Sequence, residues 1–399
     1  MSPQVTYPNY PSALPTPETT IGISVEATRG TGVNPVWWIP VDGPKYKPDI
    51  SYLEDKALRG SMVEGYDWVP GQRFDSHGWD SYPYLDSFPN FLRGILGSAD
   101  SQTGASNSTT VAAPAAVGAT SISLAGSVAI NSYLVVDTGV GTQETVYTTT
   151  GGSTPNIQYP LQFAHNVGAS VTGLYKHQFS LLNNSNATGN QPPSYSITDY
   201  AGDAWRQITA GQLDELTISG TSDSLPKYTC TWMGNLAGTP TTPVAAYTTA
   251  EAPPGWTVQF AVGGTQINNL ESWEFSLKRG VKNIPAITGT MNYAQHFASV
   301  LTATAKFTVL GSTAEPLLGD YLNGTTSSID LSLSDVQNGF IVNFHSTKSK
   351  FTTGAIDRSK EWVETPLDCQ LIPTSTDAGP GGGLSPIVCT VGNATTAAY

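Results

Sequence analysis

Apolar and polar residues alternate in short runs along most of the chain, which is the period of a half-buried strand rather than of a helix. The pattern predicts strands at Ile21–Ala27, Val36–Val41 and Leu58–Val69, rich in β-branched and aromatic residues and punctuated by Gly-Thr-Gly and Asp-Gly-Pro turns. It predicts more at His177–Leu182, Ser194–Tyr200, Ala204–Thr209 and Leu213–Ser219, then at Trp256–Val262, Glu271–Lys278, Ala286–Asn292 and Leu301–Leu310. Ile329–Leu333, Gly339–Phe344, Glu361–Thr365 and Leu367–Ile372 follow. Two stretches switch to helical spacing. In the first, Phe88, Phe91, Leu92, Ile95 and Leu96 share a face, with Ser87 as cap, Pro89 in the first turn and Gly97 as the stop. In the second, Leu317, Leu318, Tyr321 and Leu322 form the face, Ser312 or Thr313 caps it, Pro316 opens it and Asn323-Gly324 ends it. Helices this short are marginal alone, so each must pack on a sheet.

The two helical faces match in spacing. So do Leu213-Asp214…Leu216-Thr217-Ile218 and Leu367-Asp368…Gln370-Leu371-Ile372. An internal repeat accounts for both, each half being a small β-sandwich or half-open barrel with one helix. Between the matching parts lies a stretch of different composition, with no Lys or Arg between Arg93 and Lys176 and no Trp. Its short strand candidates, Ser121–Leu124, Tyr133–Asp137, Glu144–Thr149 and Val171–Leu174, mark a small inserted β-domain rather than a linker. The expected organisation is therefore a Pro-rich arm (1–20), the first domain in two parts (21–102 and 176–240), an insert (103–175) and a second domain (241–375). A Gly-rich linker and a last apolar strand (376–399) end it. That strand, Ile387–Val391, is expected to complete a sheet edge in its own chain or in a neighbour's.

Composition sharpens the class. Only 12% of the 399 residues are charged, while Gly (40) and Pro (28) are abundant, which favours an all-β fold. A net charge of −13 repels phosphate and argues against ordinary nucleic-acid binding. The N-terminus has no basic and apolar signal pattern, and no run approaches the ~18 apolar residues of a membrane helix, so cytosolic synthesis is expected. Cys230, Cys369 and Cys389 are far apart and odd in number, the pattern of buried free thiols.

Chemistry is sparse. No nucleophile elbow, P-loop or dinucleotide fingerprint occurs, and no two of the five histidines are within four residues. His77, in Asp75-Ser76-His77-Gly78-Trp79-Asp80, reads as part of a polar loop with an aromatic anchor rather than as a metal or triad centre. Asp75 and Asp80 with Asp86, or Asp203 with Asp214-Glu215, have the composition of a glycosidase carboxylate pair, which requires a separation of roughly 5–10 Å across a cleft. Trp37, Trp38, Trp68, Trp79, Tyr82 and Tyr84 suit sugar stacking or subunit interfaces; without an acid–base motif, inter-subunit contact is the better reading. No catalytic residue, cofactor or metal site is expected.

The order of features resembles the major tail protein, or tail tube, family of long-tailed bacteriophages in its two-domain form. The likeness rests on Ile21-Gly22-Ile23-Ser24-Val25-Glu26-Ala27-Thr28-Arg29-Gly30-Thr31-Gly32, the aromatic strand Trp37-Trp38-Ile39-Pro40-Val41 and Ala57-Leu58-Arg59-Gly60. It continues through the helix ending at Gly97, His177-Gln178-Phe179-Ser180-Leu181, Pro193–Ile197, Gln212–Ser219 and the second-half helix and strands. The resemblance covers most of 20–100 and 176–375 and implies a non-enzymatic virion protein. Its subunits would join sheets into a barrel around a lumen, as trimeric rings of two-domain subunits or as hexameric rings, stacked into a conduit for DNA ejection. Implied partners are further copies of the chain, a tape measure protein, tail-end proteins and DNA passing without specific binding. The lumen is expected to be acidic, the insert to face outward, and the arm and the loop around 65–83 to contact the next ring. The rivals are a carbohydrate-binding or carbohydrate-cleaving β-protein, and another virion component such as a decoration or distal tail protein.

Overall fold

The structure, a computed structural model, describes residues 19–399 except 58, 61, 64, 185–188, 202–204, 239–243, 312–314, 376 and 378. The Pro-rich arm up to residue 18, Leu58, the Ser312 and Thr313 caps and Asp203 lie outside the described residues. The chain is 49% strand and 6% helix, so it is all-β.

Two blocks of antiparallel strands repeat one topology. The sheet order of the first is Trp37–Ile39, Thr20–Val25, Tyr195–Tyr200, Trp205–Thr221, Lys227–Gly238, Asp67–Ser81, Asp42–Asp55. That of the second is Thr265–Gln266, Gln259–Val262, Thr326–Ser334, Ile341–Gly354, Glu364–Leu371, Thr302–Leu310, Leu270–Lys278. Position by position the two orders are the same, and in each a short helix follows the fourth strand of the block in chain order. Helix α1 (Pro89–Leu96) comes after Asp67–Ser81, and α2 (Glu315–Asn323) after Thr302–Leu310. The helix match in the sequence therefore pairs equivalent elements. The strand match does not: Leu213–Ile218 lies in Trp205–Thr221, whose counterpart is Ile341–Gly354, whereas Leu367–Leu371 is the counterpart of Lys227–Gly238. Similar alternation on neighbouring strands imitates a repeat one strand out of step.

One core runs through both blocks. In the first, Phe91 of α1 lies 4.7 Å from Tyr228 and 6.1 Å from Trp232 between ring centroids, so the helix covers an aromatic floor. In the second, Phe260 stacks on Phe307 at 4.5 Å and Phe275 on Phe344 at 5.2 Å. Gly97 ends α1 in the left-handed region (φ 90°), and its N–H donates to the Arg93 carbonyl at 2.8 Å. The N-cap is Phe88, not Ser87, and no side chain caps it.

Other differences from the sequence reading have local causes. Ala204–Thr209 and Leu213–Ser219 are one strand, Trp205–Thr221, interrupted by a bulge at Ala210 (φ 53°). The 65–83 stretch is no loop but mostly the strand Asp67–Ser81, paired with the unforeseen strand Asp42–Asp55. Prolines 44, 48 and 70 and glycines 71 and 78 hide these two from a propensity reading. Ala286–Asn292 is not a strand; a small hairpin, Lys282–Ile284 with Gln295–Phe297, brackets it.

Within 103–175, Thr109–Thr110, Ser170–Gly173, Tyr133–Val136 and Glu144–Tyr147 form a separate four-stranded sheet in that order, over a core that includes Val111, Leu134, Val136, Val146 and Leu161. Ser121–Leu124 contributes isolated bridges only. The insert's other face packs Tyr133, Val135 and Leu174 against Ile341 of the second block. Gly339 permits this approach, because a Cβ there would sit 2.6 Å from Cγ1 of Val135. The last strand, Val388–Asn393, runs between Ile341–Gly354 and Tyr175–Ser180 and so joins a second-block strand to the strand that follows the insert in its own chain.

Candidate assembly surface

The two blocks meet by sheet continuation. Seven residues of Trp205–Thr221 pair antiparallel with Leu270–Lys278, from Glu215 opposite Lys278 to Thr221 opposite Ser272. Trp273, Phe275 and Leu277 point into the core, so by the period of two Ser272, Glu274, Ser276 and Lys278 point to the other face. The registers carry that face across the junction. One row runs Gln370, Thr304, Ser276, Thr217, Thr229, Asp80, Asp42; the next passes through Asp368, Lys306, Glu274, Ser219 and Lys227. The result is a hydroxyl-rich belt crossing both blocks. Three of its lysines are matched: Lys278 lies 3.1 Å from Glu215, Lys306 3.2 Å from Glu274 and Lys227 3.2 Å from Asp42. Thr217 donates to Ser276 at 3.2 Å across the junction, and Thr229 to Asp80 at 2.7 Å.

The belt ends at Asp42–Asp55. This strand has the same place in its block as Leu270–Lys278, yet its outer edge has no strand partner among the described residues. Pro48 is tolerated in such a strand only where its nitrogen faces away from the ladder, so the outer row lacks a donor there, and Lys45 and Lys47 add charge. The far end of this hairpin is apolar and exposed, with Tyr52, Leu53, Trp68 and Val69 all more than half accessible.

Of the six aromatic contact candidates, only Trp68, 61% exposed, stands free on this surface. Trp38 and Trp79 are buried in their own chain, at 4% and 2% exposure; Trp79 alternates inward with Asp75, His77 and Ser81 because the segment is a strand. Trp37 is half-buried and stacks on Tyr399 at 5.4 Å. Tyr82 and Tyr84 are half-buried and meet edge to face at 6.4 Å, with the Lys227 ammonium over Tyr82. What the sequence missed is the unpaired edge, whose signal was present as Lys45, Lys47 and Pro48 in an alternating run.

Among the described residues, the carboxylate candidates are held in separate hydrogen-bond and ion-pair networks. Asp75 is buried and accepts from the Tyr46 hydroxyl at 2.6 Å and the Leu236 N–H at 2.8 Å, while Asp80, an odd number of residues on, faces the belt. Desolvation, with the Asp75 bond second, pushes the Tyr46 phenol above its ordinary range. Asp86 accepts from Thr248. Asp214 accepts from the Val281 N–H at 2.6 Å, and Glu215 points oppositely to Lys278. His77 lies 3.3 Å from Asp199 with both buried. Among the described residues no group of three His, Cys, Asp or Glu side chains is placed to hold a metal, and no helix is long and apolar enough to cross a membrane. Cys230, Cys369 and Cys389 are buried free thiols, and burial pushes that of Cys369 up to about 12.

The joined sheets and their polar belt end at Asp42–Asp55, a long strand whose outer edge is unpaired among the described residues and to which a further strand can be added. A family model described as phage tail tube protein matches residues 16–383, nearly the whole chain. No curated protein matches it. The chain belongs to the phage tail tube protein family, whose members are structural components of the virion tail.

Proposed function

We propose that the chain polymerises into stacked rings of three two-block subunits, forming the tube through which phage DNA passes into the host. One observation carries this reading: the second block's strand Leu270–Lys278 is already paired to the first block, while its counterpart Asp42–Asp55 has a free edge. Repeating the same junction between chains is a heterologous contact, and such contacts either close into a ring or run on as a filament. With two blocks per chain, three chains supply six similar junctions. Closure leaves no sheet edge exposed at this surface.

In this reading the belt faces the lumen. Three of its lysines are matched to carboxylates and the chain carries −13 overall, so passing phosphates find few free cations to hold them. A lumen lined mainly by unpaired Lys and Arg would overturn this assignment. The insert faces outward: its contacts include Asp330, Val336, Gly339, Ile341 and Thr390, none of which belongs to the belt. The apolar hairpin end, with Leu53 and Trp68, meets the next ring. Tail-end and tape measure proteins bind the tube's ends and interior, and the protein acts without catalysis.

Electron microscopy of the purified protein, with hydrogen exchange before and after assembly, tests this. Tubes of three-fold cross-section are expected, and amides of Asp42–Asp55 that exchange fast in the free chain should become protected. A chain that stays a lone globule, or tubes in which those amides remain fast, would refute the proposal; six-fold rings of single chains would refute the trimer.

A further inference from the structure

The two blocks can be superposed residue by residue, because irregularities in their ladders recur at matching places. Trp205–Thr221 shifts register against Tyr195–Tyr200 between Ile208 and Gly211, and against Lys227–Gly238 between Leu213 and Glu215. Its counterpart Ile341–Gly354 shifts against Thr326–Ser334 between Ser346 and Ser349, and against Glu364–Leu371 between Phe351 and Thr353. One superposition serves both shifts, with Ile208 on Ser346, Gly211 on Ser349, Leu213 on Phe351 and Glu215 on Thr353. Carried across the sheets by the strand registers, it sets Trp232 on Cys369, His77 on Ala305 and Tyr46 on Phe275.

The in-chain junction pairs residues 215–221 with residues 272–278. In the superposition, residues 353–359 take the place of the first segment and residues 43–49 that of the second. Among the described residues no strand lies on the outer side of 353–359, since Thr326–Ser334 stops pairing at Lys350. The Ala355 and Asp357 N–H groups turn inward, donating to the Pro366 and Glu364 carbonyls at 3.4 and 2.8 Å. By alternation, Gly354, Ile356 and Arg358 turn their backbone groups outward. The side chains tell the same story. Ile218 is 3% exposed beneath the in-chain junction, whereas its counterpart Ile356 is 42% exposed. Phe275 and Leu277 are buried, whereas their counterparts are half-buried Tyr46 and exposed Pro48.

We infer that residues 353–359 are the surface to which the strand Asp42–Asp55 of a second copy of the chain is added, in the register of the in-chain junction. The inference rests on the ring reading above and names what the free edge meets. Transferring the register sets Ile356 opposite Tyr46, as Ile218 stands opposite Phe275, and Asp357 opposite Lys45, as Ser219 stands opposite Glu274. The first pair buries apolar surface that the free chain leaves open. The second brings opposite charges face to face on the belt side. Pro44 and Pro48 bring no donors to this seam, but their carbonyls remain to accept from the Arg358 and Gly354 N–H groups. A slip of one residue would turn Lys45 and Lys47 toward the core side, so the register is specified.

The test uses the full chain assembled into tubes. Lys45→Cys combined with Asp357→Cys places thiols on facing residues, about 4.5–5.5 Å apart at Cα and within reach of a disulfide. Oxidised tubes of this variant should dissolve in denaturant as covalently linked chains, trimers if the ring holds three. Tubes of Lys45→Cys alone should give monomers, the native thiols being buried. Independently, Lys45→Glu should raise the protein concentration needed for tube formation by about tenfold or more, and adding Asp357→Lys should largely reverse this. Lys45 is exposed, so its replacement is expected to leave the melting temperature of the free chain unchanged. Tubes of normal shape that yield no cross-link, or a charge exchange that restores nothing, would overturn this seam and leave the ring reading standing. Failure of the unmodified chain to form any tube would sink both.

Discussion

Glu26 sits 7% exposed at the end of the strand Thr20–Val25 and accepts four hydrogen bonds, from Gly30 N, Ser194, Ser196 and Ala210 N at 2.7–2.9 Å. It thereby pins the strained Ala210 bulge. His165 does comparable work in the insert, its Nδ1 lying 2.6 Å from Asp137 and its Nε2 2.7 Å from Glu144. Burial alone would lower its pKa, but the bonds and charges of Glu144 and Asp137 prevail and raise it. A raised folded-state pKa gives stabilisation that is complete below the unfolded value, near 6.5, and lost as pH rises through the folded one. Hydrogen exchange at Tyr133–Val136, corrected for intrinsic rates, should thus report easier opening at pH 9 than at pH 5.5. His165→Ala should cost about 3 kcal/mol at pH 5.5 and remove the dependence. Neither network was legible in the sequence. The partners of Glu26 among residues 194–210 are 168–184 positions away, and no local pattern announces a buried carboxylate. The thiols were legible, because their isolation alone indicated burial.

Among elements, α1 was readable nearly to the residue because Pro89, Gly97 and a five-residue apolar face all act locally. Its anchorage was not. Arg279, from the second block, donates Nε to the Ile95 carbonyl at 2.7 Å and Nη2 to that of Leu96 at 2.9 Å, capping the negative end of a first-block helix. Burial lowers this guanidinium's pKa to about 10. Arg279→Lys, which cannot reproduce the planar fork, should lower unfolding free energy by about 1–2 kcal/mol in urea titrations. The strands of the second block were foreseen where alternation is strict, as in Glu271–Lys278. Asp42–Asp55 and Lys227–Gly238 were missed, the former because prolines protect an edge at the expense of strand propensity. Its exposed hairpin end gives the clearest element-level prediction. Leu53→Ala with Trp68→Ala should leave single rings intact while shortening tubes in micrographs, since both side chains are solvent-exposed in the isolated chain and contribute little to its folding.

For the whole molecule, the duplicated topology was legible from two helical faces, whereas the strand register of the repeat was not, since alternation has no memory of which neighbour it pairs with. Removing residues 104–174 should still permit tube formation, read by microscopy, but with a lower melting temperature because Ile341 and Gly339 lose their cover. Loss of polymerisation in a variant that remains folded would place the insert in the ring wall. The seven-pair union of Trp205–Thr221 with Leu270–Lys278 bears on kinetics as well. In the trimeric ring we propose, a chain that carries this union from the moment it folds has half of the circle's seams sealed before it meets another copy. Nucleating a ring then takes a third-order encounter instead of a sixth-order one, so growth should begin at far lower protein concentration than separate half-size subunits would need.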